Sequence, residues 1–324
     1  MRALDSDTDA RRLARIALVA PNLKVLYVPT AKAACTSVTL MIAQAEGSYR
    51  PELADRVVSN QMSPQQVIHS ASVNGLPRLA QLPPREVHHI LNSSDWLRFT
   101  SIRNPLRRVY SAWENRLLLR APGFARSLAD SMPDVLSGGR LDFTATFANF
   151  VTAFSERTED FFRDRHFTPQ TRFTRPDLIN YNMIVRVDDP RAISGIATML
   201  AERSRIKINL LPQRLNEGLG IPLDLVCNLE HADLLMRAYQ TDYDTFGFSH
   251  EEARSTLRRD VSPYLLGTTE TRLLQQIRGA LQRSLDIADA HRFRRALRFR
   301  AMRAVHVVLH KASRRHIAMP QRYM

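Results

Sequence analysis

The residues able to do chemistry on a charged group fall in two short segments and one histidine pair. In Val25-Leu26-Tyr27-Val28-Pro29-Thr30-Ala31-Lys32-Ala33-Ala34-Cys35-Thr36-Ser37, an apolar run is followed by small residues, one lysine and two hydroxyls. A strand feeding a tight loop and then a helix gathers N–H groups into one concavity, where the helix dipole favours an anion. Ala33 and Ala34 leave the backbone approachable, and Thr36 and Ser37 can cap the helix or donate to phosphate oxygens. Lys32 adds a point charge. The loop lacks the glycines of a Walker A motif, which disfavours a P-loop NTPase. In Phe99-Thr100-Ser101-Ile102-Arg103-Asn104-Pro105-Leu106-Arg107-Arg108-Val109-Tyr110-Ser111, Arg103 leaves a strand just before a helix and Ser111 lies two turns along it. A guanidinium fork and a hydroxyl can then grip one phosphate from two sides. Taken separately, each segment is more economically read as scaffold: a capped helix start in one, a solvated arginine and a back-bonded serine in the other.

The elements around these residues follow from pattern. Residues 1 to about 20 form a charged lead-in with helical character. Strands are predicted over 24–28, 97–102 and 183–187, where short apolar runs end at turn residues. Helices are predicted over 36–46, stopped by Gly47, and from Asn104-Pro105 to about 120. Further helices are predicted over 142–156, 190–203, 228–246, 250–259 and most of 268–310, with another start at Ser63-Pro64. Residues 121–140 read as a loop-rich insertion. Short strands separated by helices imply the α/β class with a central parallel sheet.

Composition sets the outer limits. The 324 residues, 44% hydrophobic and 24% charged, suit a globular chain. Cys35 and Cys227 are too few for a disulfide framework, and no histidines stand at zinc-ligand spacing. No apolar run approaches the ~20 residues that span a bilayer. Asp5, Asp7 and Asp9 stand where a signal peptide carries positive charge, so a soluble, cytoplasmic setting is expected. The net charge of +14 comes mostly from the tail, since ten Lys/Arg and no acid follow His291, and the rest has 36 basic against 32 acidic residues. A nucleic-acid-binding body is therefore not implied.

Taken together, the two segments resemble the phosphosulfate and 3′-phosphate loops of sulfotransferases that use 3′-phosphoadenosine 5′-phosphosulfate (PAPS). The nearer likeness is to the carbohydrate group that includes the chondroitin and HNK-1 enzymes. Lys32-Ala33-Ala34-Cys35-Thr36-Ser37 is similar to that group's first motif, and Arg103-Asn104-Pro105 through Ser111-Ala112-Trp113 to its second. His166-Phe167-Thr168-Pro169-Gln170, Tyr181 to Asp188, Leu211-Pro212-Gln213-Arg214-Leu215-Asn216 and Tyr239 to Phe248 resemble later elements in the right order. Ala31 stands where the pattern has proline, and Asn104 where it has an acid. The animal enzymes' N-terminal anchor has no counterpart, pointing to a soluble bacterial relative.

The resemblance implies a P-loop-like, three-layer α/β fold with a central parallel sheet flanked by helices. A sulfotransferase domain over 1–265 would be followed by a helical, basic extension over 266–324. Lys32 would neutralise charge on the phosphosulfate as its bridging oxygen leaves, Ala33 to Ser37 would hold the 5′-phosphate, and Arg103 and Ser111 the 3′-phosphate. PAPS would be the co-substrate, with no metal, and the acceptor a hydroxyl of a carbohydrate or glycolipid. His89 is the expected general base, with His88, Glu46 and His166 as rivals. The tail over 291–315 suits contact with anionic lipid, although a terminal helix packed on the body or a second copy is the plainer reading. A nucleotide-dependent kinase on a related fold and a non-enzymatic adaptor working through the tail are the alternatives.

Overall fold

The computed structural model describes residues 8–54, 67–119, 132–204, 219–280 and 282–283. The expected helix start at Ser63-Pro64, the element 211–216 and the basic tail lie outside the described residues.

A four-stranded sheet forms the centre. Its strands are β1 (Leu18–Ala20), β2 (Val25–Val28), β3 (Leu97–Ile102) and β4 (Met183–Arg186), in the order β1-β2-β3-β4. The three parallel strands match the expected ones within a residue, Val25 pairing Leu97 and Phe99 pairing Met183. β1 was not expected. It pairs antiparallel with β2 through the tight turn at 21–24, so the sheet is mostly rather than wholly parallel. The lead-in hid this strand because three residues are too few to show a period.

Every residue of β2 is buried, as expected of a strand covered on both faces. On one face lie α2 (Cys35–Glu46) and α6 (Ala192–Arg203), where Val38, Met41, Ile42, Ile196 and Leu200 pack on Val25, Tyr27 and Phe99. On the other lie α1 (Thr8–Ile16) and α3 (Pro84–Asn92), with Leu13 and Ile90 against Leu26 and Val28. Beside this sandwich stands a third core built on α4 (Pro105–Trp113), α5 (Phe143–Glu156) and α7 (Leu229–Ala238). Its centre is Trp113, with the Phe143 and Phe147 ring centroids each 4.9 Å away in edge-on contact.

Three expected helices change form. The one from Pro105 stays α-helical only to Trp113 and continues as a wider π-turn over Glu114–Leu118. The helix expected over 228–246 breaks at Tyr239 into α7 and α8 (Gln240–Phe246). The one expected over 250–259 ends at Ser255. Helix 268–280 starts inside the expected C-terminal extension, yet Leu274 is buried in the third core and the Thr271 hydroxyl accepts from the Leu141 amide at 3.1 Å. Its described part is thus packed as body. Among the described residues no helix is long and apolar enough to cross a membrane.

Candidate functional site

The parallel strands β2 and β3 end side by side, and the loops that leave them face one cleft. After β2 the chain runs through Pro29 to Ala34, with Lys32 and Ala34 both in left-handed backbone, at φ 66° and 58°. Neither is glycine, so each conformation costs about 1 kcal/mol and must be held by its surroundings. The holding bonds are visible. Arg108 Nε donates to the Ala31 carbonyl at 2.9 Å, and Ser101 Oγ donates to the Ala33 carbonyl at 2.7 Å. Loop carbonyls are thereby turned into the body.

α2 then begins at Cys35, with Ala34 as its N-cap and no side-chain cap bond. Thr36 and Ser37 lie inside the first turn instead of capping it, and a helix start without a side-chain cap keeps its attraction for an anion. Lys32, Ala34, Cys35, Thr36 and Ser37 line the cleft, whereas Ala33 is buried beneath it. One turn on, the Thr39 hydroxyl borders the same cleft with no partner, although the residue is only 1% exposed. A buried donor left over beside a cationic loop suits an oxygen-rich ligand.

Arg103 follows β3, and Asn104 caps α4 by accepting from the amides of Leu106 and Arg107. The acid missing at 104 is supplied by Asp188, beyond β4. Its carboxylate accepts from the Asn104 amide at 2.5 Å and lies 3.8 Å from Arg103 Nε. Arg103 and Ser111 line the same cleft as Lys32, which measures about 1290 Å³. The two segments that pattern alone leaves as scaffold are thus brought to one cavity.

The expected base falls elsewhere. His89 and its neighbour His88 are exposed on α3 and do not line the cleft, because the buried face of that helix is the one carrying Ile90. Glu46 is consumed in structure, its carboxylate accepting from the amides of Asn22 and Leu23 at the β1–β2 turn. Two other histidines do line the cleft. His166 bonds through Nδ1 to Asp164 at 2.7 Å, and Asp164 also pairs with Arg116 at 2.8 Å. His69 meets the Thr36 hydroxyl through Nε2 at 3.1 Å. Sequence reasoning missed His69, which lies 33 residues from its partner with no spacing signal to join them. Glu114, also missed, lines the cleft from the π-turn and accepts from the Leu219 amide at 3.1 Å.

Electrostatics follow from burial. Desolvation, reinforced by Arg116 and Arg103 and opposed by Cys35 and Glu114, brings the Lys32 ammonium down to about 8. Burial raises the Cys35 thiol, but a hydrogen bond with His69 and the charges of Arg165 and Lys32 outweigh it, leaving about 7. Burial also lowers His166 to about 3, with Arg116 and Arg165 adding to the effect against Asp164. Glu114 is raised by burial against the pull of Leu219, Lys32 and Arg103. More Lys and Arg than Asp and Glu side chains line the cleft, so its charge favours an anion. Among the described residues no group of three or more His, Cys, Asp and Glu could hold a metal.

Comparison with known proteins agrees with this geometry. Carbohydrate sulfotransferase 10 of Xenopus laevis is 25% identical over 127 residues, 36% of this chain and 33% of that protein. Carbohydrate sulfotransferase 10 of Danio rerio is 24% identical over 159 residues, 43% of each. The matched stretches therefore span less than half of those relatives. No solved structure matches. The sulfotransferase family model matches residues 15–215, more than half of the chain and inclusive of both cleft loops, and the chain belongs to that family.

Proposed function

We propose that the chain transfers a sulfuryl group from PAPS to a hydroxyl of a carbohydrate. One observation carries the reading: a strained lysine loop at an uncapped helix start, an arginine just past the neighbouring parallel strand and a serine on the helix that follows it share one cleft. The first suits a 5′-phosphosulfate and the second a 3′-phosphate, the two anionic ends of this donor. The matched relatives are named as carbohydrate enzymes, which supports a sugar acceptor.

Sulfuryl transfer, like phosphoryl transfer, asks mainly for positioning and for stabilisation of developing charge. Lys32 would offset the charge gathering on the leaving phosphate oxygen. The first turn of α2, with Thr36 and Ser37, would hold the 5′-phosphate, and Arg103 and Ser111 the 3′-phosphate. The acceptor hydroxyl must lose its proton to a base within hydrogen-bond reach. His166, held neutral to about pH 3, is a weak proton acceptor. His69, beside Thr36 at the mouth of the loop, is the better placed base.

Calorimetric titration with 3′-phosphoadenosine 5′-phosphate (PAP), beside ADP and without Mg²⁺, tests the donor. The scheme assigns charge neutralisation to Lys32 rather than to a metal, hence the omission. Selective binding of PAP, lost in Arg103→Ala and Ser111→Ala, is the expected result. Equal binding of ADP, or none of either, overturns it and favours kinase chemistry or a scaffold.

A further inference from the structure

Arg103 stands where β3 hands over to α4, and its backbone has left the strand ladder, which closes with the Val187 amide donating to the Ile102 carbonyl at 2.9 Å. The side-chain amide of Gln170 takes over. The Arg103 N–H donates to Gln170 Oε1 at 2.9 Å, and Gln170 Nε2 donates to the Arg103 carbonyl at 2.9 Å. Both main-chain groups of one residue are thus closed on one primary amide, which also fixes which amide atom is oxygen. Glutamate keeps the length but loses the donor, and asparagine is one carbon short. Gln170 is fully buried and opens the short helix Gln170–Thr174, so its reach is fixed from behind.

What fixes it is Asp242 on α8, itself fully buried. Its carboxylate accepts from the main-chain N–H of Gln170 at 2.8 Å, the main-chain N–H of Thr171 at 2.9 Å and the Thr171 hydroxyl at 3.0 Å. The chain of contacts therefore runs from the third core through Gln170 to the backbone of Arg103, while Asp188 flanks the guanidinium on the open side. None of these hydrogen bonds reaches the Lys32 loop, and neither Gln170 nor Asp242 lines the cleft.

We infer that Gln170, backed by Asp242, is a positioning residue that sets the preference for a 3′-phosphorylated nucleotide by fixing the backbone of Arg103. The inference rests on the proposed role of Arg103 at the 3′-phosphate. Its distinctive consequence is selective: loosening the clamp weakens the grip on the 3′-phosphate and leaves the 5′ end alone. A merely structural residue would weaken both together.

Titration of wild type, Gln170→Glu and Gln170→Met with PAP and with adenosine 5′-phosphate, which differ only in the 3′-phosphate, reads this directly. The ratio of the two affinities is expected to fall on the order of tenfold in each variant, the size of one or two lost hydrogen bonds, while adenosine 5′-phosphate binds as in wild type. Thermal melting confirms that each variant is folded, and if the apolar one is not, the nearly isosteric Gln170→Glu carries the test. A wild-type preference that survives in a folded variant overturns the inference about Gln170. A wild type with no preference instead removes the 3′-phosphate from Arg103, and with it the proposed donor.

Discussion

Lys32 combines a left-handed backbone, a half-buried side chain and an ammonium whose pKa desolvation brings down to about 8, and each feature has a use at an anion site. The backbone aims the loop, and burial strengthens every electrostatic contact made there. Lys32→Ala should reduce kcat at least a hundredfold, as removal of one charge-stabilising group does elsewhere, in a PAPS-dependent acceptor assay. Lys32→Arg should not restore it, because a planar fork does not replace a compact ammonium. His69→Ala should cost on the order of a hundredfold or more in kcat, whereas His89→Ala on the exposed face of α3 should leave turnover unchanged, and the same assay read with both variants decides between them. The placing of Lys32, Arg103 and Ser111 on the loops and the helix that face one cleft was legible in sequence because each sits a few residues from the element that aims it. His69 was not, since only the folded chain carries it to Thr36. Asp188 lay inside a recognised stretch, but its contact with Asn104 spans 84 residues.

At the scale of elements, the strands and helix starts that carry the site were legible because each is punctuated locally: Pro29 after β2, Asn104-Pro105 after β3 and Gly47 after α2. The break at Tyr239 and the π-turn at Glu114 were not, because tertiary packing overrides a continuing helical pattern at both. Tyr239 turns its hydroxyl to the Phe167 carbonyl at 2.5 Å, and Glu114 turns to Leu219. The turn that presents His69 depends on the neighbouring loop. Asn74 ties itself to the Ile68 carbonyl at 2.8 Å, and Gly75 follows at φ 66°. A Cβ on Gly75 would come within 2.3 Å of the Ser48 carbonyl oxygen, a backbone atom that cannot swing away. Gly75→Ala should therefore destabilise the chain by about 2–4 kcal/mol, seen as a clear drop in Tm by calorimetry. The same variant should lower kcat through His69 in the temperature range where it stays folded.

The whole molecule responds to pH through the groups it buries. His166 is held at about 3, below its ordinary 6.5, chiefly by burial. Between these values the unfolded chain binds the proton and the folded chain resists it, so stability falls as pH falls through that window. Burial alone would raise Asp164, but His166 and Arg116 hold it below the usual carboxylate range, which adds loss in the same direction at the acid end. Glu114 and Asp242, raised by burial, act oppositely. The signature is therefore a difference: Tm should fall from pH 7 to pH 4.5 in wild type and fall less in His166→Gln, and parallel curves would contradict the assignment. The three-layer sandwich was legible in the strand–helix alternation, whereas the aromatic core beside it was not, because its members come from helices far apart in the chain. That division has an optical consequence. The chain has two tryptophans, Trp96 in the core under α1 and α3 and Trp113 in the ring-packed core under α4. Each half of the protein thus carries its own intrinsic fluorophore. Replacing either by phenylalanine leaves a single-colour reporter of the other half, and emission curves that coincide or separate would show whether the sandwich and its aromatic flank melt as one cooperative unit.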